Sequence, residues 1–164
     1  MNATTRNATT TQVFRVFINA TPEAVWDAIT SPEWTARYGY LTPAHYELRP
    51  GGTYRALATD EMRQYGVGEV AVDGEVLECD PPRRLVQTWK ARFGPEFENE
   101  PPTRLTWEID AEGGITRLTV IHDVADAPST AAIVSGDVAE AGGGWAWVLS
   151  SLKTLLETGQ TLGR

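Results

Sequence analysis

The sequence predicts an α+β fold: an antiparallel sheet of six or seven strands covered by a long C-terminal helix, with two short helices after the first strand. Three observations carry this expectation. Between residues 44 and 123 apolar residues recur with a period of two and no crossover helix is evident, which disfavours a parallel sheet. The stretch GGGWAWVLSSLKTLLE, residues 142–157, then changes period: Trp145, Leu149, Leu152 and Leu156, with Val148 and Leu155 beside them, form one helical stripe. Ahead of the sheet, Thr21-Pro22-Glu23 and Ser31-Pro32-Glu33 each read as a helix entry. A hydroxyl caps, proline suits the first helical position, and the acid sits at the positive end of the dipole.

Taken in order, residues 1–10 read as a loose tail and residues 11–160 as a single domain. TQVFRVFIN, residues 11–19, alternates as a strand with apolar residues on both faces. The two capped helices follow, the second ending near Tyr38-Gly39. HYELRPGGTYRALA is a hairpin turning at Pro50-Gly51-Gly52, and EVAVDGEVLEC is a strand with a bulge expected at Gly74. Asp80-Pro81-Pro82-Arg83-Arg84 makes a stiff turn into LVQTWKARF, and GPEFENEPP reads as a loop. RLTWEID places Leu105, Trp107 and Ile109 on one face; ITRLTVIHDV returns with Leu118, Val120 and His122 together. Ser129 is the expected cap of a short helical stretch over residues 130–138. The final helix, about 20 Å long, is long enough to cross several strands.

Composition excludes several functions. With 164 residues, 41% hydrophobic and 22% charged, the chain reads as a soluble globular protein. No run approaches the ~20 apolar residues of a membrane span, and the opening lacks a basic-then-apolar leader. Cys79 is the only cysteine, so neither an internal disulfide nor a multi-thiolate metal site is possible. It is expected as a small buried hydrophobe, and cytoplasmic residence is the default. There are 22 acidic and 14 basic residues, net −8, and Arg83-Arg84 is the only adjacent basic pair. Nucleic acid is therefore not an expected partner, nor is membrane insertion. Gly51-Gly52 and Gly142–Gly144 do not lie between a parallel strand and its crossover helix, and no nucleophile elbow occurs, so no cofactor is expected. His45 and Glu47 share a strand face, but two histidines without HExxH predict no metal site.

The order of signatures resembles one superfamily. VFRVFINATPEAVWDAITSPEWTARY, LRPGGTYR, GEVLECDPPRRLVQTW, TRLTVIHD and the glycine-tryptophan opening of the last helix are similar to the START-like, or SRPBCC, proteins with their helix-grip fold. More narrowly they resemble the activator of Hsp90 ATPase homologue-like family. The resemblance covers nearly the whole chain after residue 11. It implies that the sheet is curved and wraps around the C-terminal helix, often leaving a cavity between them. It implies architecture more than activity, since the superfamily includes carriers, cyclases, hydrolases and co-chaperone domains.

Six tryptophans come from separated elements, and large rings packed together leave shaped gaps. On the inner face of a curved sheet, Trp89 and Trp107 flank the stripe led by Trp145. The expected function is binding of a small, largely hydrophobic or aromatic ligand between the sheet and residues 145–156. The expected ligand-binding residues are Trp89, Trp107, His122, Trp145, Tyr54 and Leu149. Tyr38, Tyr46 and Tyr65 are further hydroxyl donors, and Arg37 and Arg55 are candidate mouth residues. Two other readings stand beside this one. In the first, a cyclase, dehydratase or hydrolase uses His122, the one candidate catalytic residue, as its acid or base. In the second, the chain is a co-chaperone-like interaction domain. Trp147 and Phe97 are candidate contacts of a homodimer.

Overall fold

The computed structural model describes residues 10–163; apart from Thr10, the expected N-terminal tail lies outside the described residues. Seven strands form one antiparallel sheet: β1 (Thr11–Ile18), β2 (Ala44–Tyr46), β3 (Thr53–Leu57), β4 (Val70–Asp80), β5 (Arg84–Ala91), β6 (Thr103–Glu112) and β7 (Ile115–Asp123). Their order, β1-β7-β6-β5-β4-β3-β2, is a six-strand meander closed at one edge by β1. The sheet is curved. Its pairing shifts between Val76 and Glu78 and again between Ala56 and Leu57, and such irregularities bend a strand. The bulge thus lies at Leu77 rather than Gly74. Gly74 pairs in register with Tyr54, and its missing side chain has another reason: a Cβ there would lie 1.9 Å from the Thr88 carbonyl oxygen.

Two helices follow β1, as expected: α1 (Pro22–Thr30) and α2 (Pro32–Thr35). The Thr21 hydroxyl accepts from the Ala24 amide at 3.1 Å, the anticipated cap. Ser31 does not repeat it. Its own amide closes α1 on the Asp27 carbonyl at 3.0 Å, and α2 has no side-chain cap. Two single-turn helices complete the connections: α3 (Asp60–Gln64), capped by Thr59, joins β3 to β4, and α4 (Pro95–Glu98) lies in the segment read as a loop. Then come α5 (Pro128–Ser135) and α6 (Gly144–Thr158). The expected Ser129 cap of α5 is replaced from a distance. The Glu100 carboxylate accepts from the Ser129 and Thr130 amides at 2.6 and 3.0 Å and from the Thr130 hydroxyl at 2.7 Å.

The curved sheet grips α6. Trp145, Leu149, Leu152 and Leu155 are buried in one core with Ile18, Leu105, Trp107, Ile109, Leu118 and Val120 from β1, β6 and β7, while Val148 and Leu156 at the margins of the anticipated stripe are half-buried. The triple glycine at its entrance is sterically required. Gly144 has φ +63°, and a Cβ there would lie 2.2 Å from the Val134 carbonyl oxygen. At Gly142 a Cβ would meet the Tyr40 ring at 2.7 Å. Small residues thus let α5, α6 and the Tyr40 loop converge.

The outer sheet face is laced with exposed ion pairs, although β1 also exposes Val13 and Phe17. Arg84 meets Glu108 at 2.7 Å and Glu78 at 3.5 Å, and Arg104 meets Glu78 at 3.4 Å. Among the described residues no helix is long and apolar enough to cross a membrane. Cys79 is half-buried rather than buried, and desolvation, reinforced by Asp80, raises its thiol pKa, which disfavours the nucleophilic thiolate.

Candidate functional site

At the N-terminal end of α6 the grip is incomplete. A cavity of about 220 Å³ lies between the helix and the sheet. The sheet contributes Tyr46, Tyr54, Ala56, Ala71, Trp89 and Trp107; α6 contributes Gly144, Trp145 and Val148. Tyr38, Tyr40 and Thr42 close one end, and Phe93 with Ile133 and Val134 of α5 closes another. The alternation of each strand explains the wall: Tyr54 and Ala56 are buried while Thr53 and Arg55 on the other face are exposed. The volume exceeds the ~150 Å³ that accommodates a benzene-sized guest in an apolar interior.

The lining is uncharged: among the described residues it includes no Asp, Glu, Lys, Arg or His. Its polar atoms are mostly committed to the protein. Tyr38 donates to the Ala28 carbonyl at 2.8 Å. Tyr46 donates to Gln87 Oε1 at 2.7 Å, and the Trp107 indole donates to the same oxygen at 3.2 Å. The Tyr40 hydroxyl accepts the Gly144 amide at 2.9 Å, tying the loop to the start of α6. Burial is the main cause raising the phenol pKa values of Tyr38, Tyr46 and Tyr54, so all three stay protonated at neutral pH. The Tyr46 and Tyr54 rings lie 4.7 Å apart, and the indole N–H of Trp89 is placed to bond the Tyr54 hydroxyl oxygen.

His122 sits behind this wall. It is fully buried, with its ring 5.1 Å from that of Trp89 and 5.9 Å from that of Trp145. The Trp145 indole can only donate, and it meets His122 Nδ1 at 3.0 Å, so Nδ1 is an acceptor. The proton of the neutral ring therefore resides on Nε2, which donates to Thr103 Oγ1 at 2.7 Å. Thr103 in turn donates to the Trp89 carbonyl at 2.8 Å, completing a chain from α6 through β7 and β6 to β5. Desolvation lowers the His122 pKa to about 4, against a smaller opposing effect of Asp123. Both nitrogens are occupied and the ring is neutral. The arrangement orients two wall tryptophans; as it stands it offers no free acid or base to a guest.

Of the expected binding residues, Trp89, Trp107, Trp145 and Tyr54 meet at the cavity wall. His122 lies one layer behind them, and Leu149 is buried in the packed core below. The cavity therefore adjoins the first turns of α6 only, not all of residues 145–156; the leucine half of the stripe fills its space. Tyr65 is exposed, Arg55 faces outward beside His45 and Glu69, and Arg37 covers the Trp34 ring at 5.0 Å. Neither arginine guards a mouth. The expected dimer contacts are engaged within the chain: Phe97 is buried near Phe93, and the Trp147 indole donates to the Gly39 carbonyl at 3.1 Å. Sequence reasoning missed Gln87, Tyr40 and the part that α5, itself expected as a short helix, plays in the cavity wall. Alternation in LVQTWKARF does place Gln87 on the face of Leu85 and Trp89, a usable signal. Tyr40 follows the second helix entry with no periodicity to orient it.

A curved antiparallel sheet around a C-terminal helix, two short helices after the first strand and an aromatic cavity at the grip define a START-like, or SRPBCC, helix-grip protein. The chain belongs to the activator of Hsp90 ATPase homolog 1-like family, whose model matches residues 19–157. Solved structures share its fold. Protein MLL2253 from Mesorhizobium loti is 22% identical over 90% of this chain and 96% of its own, with a TM-score of 0.67. CalU16 from Micromonospora echinospora is 22% identical over 88% and 73%, with a TM-score of 0.64. The Aha1 dimer from Colwellia psychrerythraea is 17% identical over 91% and 97%, with a TM-score of 0.65. No curated protein sequence matches the chain.

Proposed function

We propose that this protein binds a small, neutral, largely hydrophobic molecule in the cavity at the N-terminal end of α6. The observation that carries the reading is the wall itself, which combines tryptophan and tyrosine rings with small aliphatic residues and has no charged side chain among the described residues. An ionised guest would lose its hydration without meeting a counter-charge. An apolar one gains roughly 25 cal/mol for each Å² removed from water, offset by ordering costs.

The test is twofold. Protein isolated from its producing cells is denatured and its extract analysed by mass spectrometry, and purified protein is screened by thermal shift against neutral one- and two-ring compounds. The expected result is a neutral hydrophobic compound that raises Tm by several degrees. A ligand at one hundred times its Kd stabilises by about 2.7 kcal/mol. A screen in which charged and neutral compounds alike leave Tm unmoved, with no extracted guest, overturns the reading.

The acid-base reading needs His122 at the wall with a free ring nitrogen; its place behind the wall and the commitment of both nitrogens weigh against it. The co-chaperone reading draws on the family description and on the relative described as an Hsp90 activator from Plasmodium falciparum. Its direct check is the ATPase rate of Hsp90 with this protein added.

A further inference from the structure

Among the described residues the hydroxyl proton of Tyr54, at the cavity wall, has no acceptor. The phenols of Tyr38 and Tyr46 and the indoles of Trp107 and Trp145 donate to protein atoms at 2.7–3.2 Å. Tyr54 differs. Its oxygen is met by the Trp89 indole N–H, yet among the described residues its own O–H finds no acceptor. Tyr54 and Trp89 are only 7% and 8% exposed, so bulk water is a poor substitute, and both line the cavity. A buried donor of this kind is ordinarily satisfied.

We infer that the ligand is an uncharged ring compound bearing a carbonyl, and that its oxygen accepts the hydrogen bond of the Tyr54 hydroxyl. The inference rests on the cavity being a binding site and specifies the polar end of its guest. The indole N–H donates to the phenol oxygen, the phenol O–H donates to the carbonyl, and each bond polarises the next. A carboxylate would add a charge the wall cannot balance. An ammonium would bring donors toward a group that is itself a donor. A ketone supplies an acceptor and introduces no further proton to satisfy.

The experiment compares three probes of similar shape by isothermal titration calorimetry: 2-acetylnaphthalene, 2-isopropylnaphthalene and 2-naphthoate. Wild-type protein is expected to bind the ketone about tenfold more tightly than the hydrocarbon, the scale of one net hydrogen bond, with naphthoate weakest. Tyr54→Phe is expected to reduce the ketone to the hydrocarbon's affinity and leave the hydrocarbon unchanged. Equal wild-type affinities for the two neutral probes keep the cavity as a binding site but overturn carbonyl recognition, and this arm needs no variant. A ketone preference that survives Tyr54→Phe, or naphthoate binding as tightly as the ketone, also overturns it. Failure of all three probes to bind removes the cavity reading and this inference with it.

Discussion

His122 shows how a histidine that reads as a chemical handle becomes a structural one. Its folded pKa, about 4, lies below the ordinary 6.5. A base with a depressed folded pKa stabilises the fold fully above its unfolded pKa. As pH falls from 6.5 towards 4 the unfolded chain takes up a proton that the folded one refuses, and stability is lost. The gross loss is about 3 kcal/mol, from 1.36 kcal/mol for each pKa unit. Urea denaturation at pH 7 and pH 4.5 measures it; His122→Gln is expected to lower stability at pH 7 but flatten the curve across that window. An unchanged slope in the variant assigns the acid loss elsewhere. The facing of this residue was legible in the sequence, because Leu118, Val120 and His122 fall two apart along one strand and so share a face. Its neutral state was not, since that depends on burial and on a Trp145 indole contributed from another element.

At the scale of elements, α5 and the entrance of α6 close the cavity, and each depends on a contact that sequence spacing does not reveal. Glu100 provides the side-chain cap that α5 lacks. Partial desolvation works against the carboxylate's charge, but bonds from Thr130 and Ser129 outweigh it and hold the pKa below the ordinary value. Its contribution is therefore present above the usual carboxylate range and lost as pH falls through the depressed value. Glu100→Gln should destabilise by about 1 kcal/mol, the scale of a capping bond, and speed hydrogen exchange at Ser129 and Thr130. Unaltered exchange there refutes the cap. Gly144 and Gly159 offer a matched comparison, because both have positive φ but only Gly144 is crowded. Gly159→Ala is expected to cost about 1 kcal/mol, from backbone conformation alone. Gly144→Ala adds overpacking against α5 and should cost about 2–4 kcal/mol. Similar denaturation midpoints for the two variants would remove the close-approach argument.

For the whole molecule, packed core and cavity divide the same helix. The far half of α6 is sealed by Leu152 and Leu155, while the near half faces aromatic rings whose shapes leave space. Ala71 is fully buried in β4 and lines that space. In a filled core, enlarging such an alanine typically costs 1–3 kcal/mol. Ala71→Leu is instead expected to change stability by less than about 1 kcal/mol while abolishing binding of neutral hydrophobic probes. A strongly destabilised variant, or one that binds normally, contradicts the cavity as drawn. The ion pairs of the outer face are exposed, and each contributes little on its own.

The periods of hydrophobicity, the threonine-proline helix entry and the final amphipathic stripe were enough to determine the strands and the helices α1, α2, α5 and α6 in their order, though not the single-turn α3 and α4, because those patterns are properties of neighbours along the chain. The motifs carrying the family resemblance anticipated the grip. Only the tertiary structure decided where the grip is left unfilled, that His122 and Leu149 stand back from that space, and that the Tyr54 hydroxyl meets no acceptor among the described residues. The physical reason is distance along the chain. The Tyr40 hydroxyl reaches the Gly144 amide across 104 positions, and Trp145 reaches His122 across 23. Voids and hydrogen-bond satisfaction depend on where such remote atoms meet, and no local pattern encodes that.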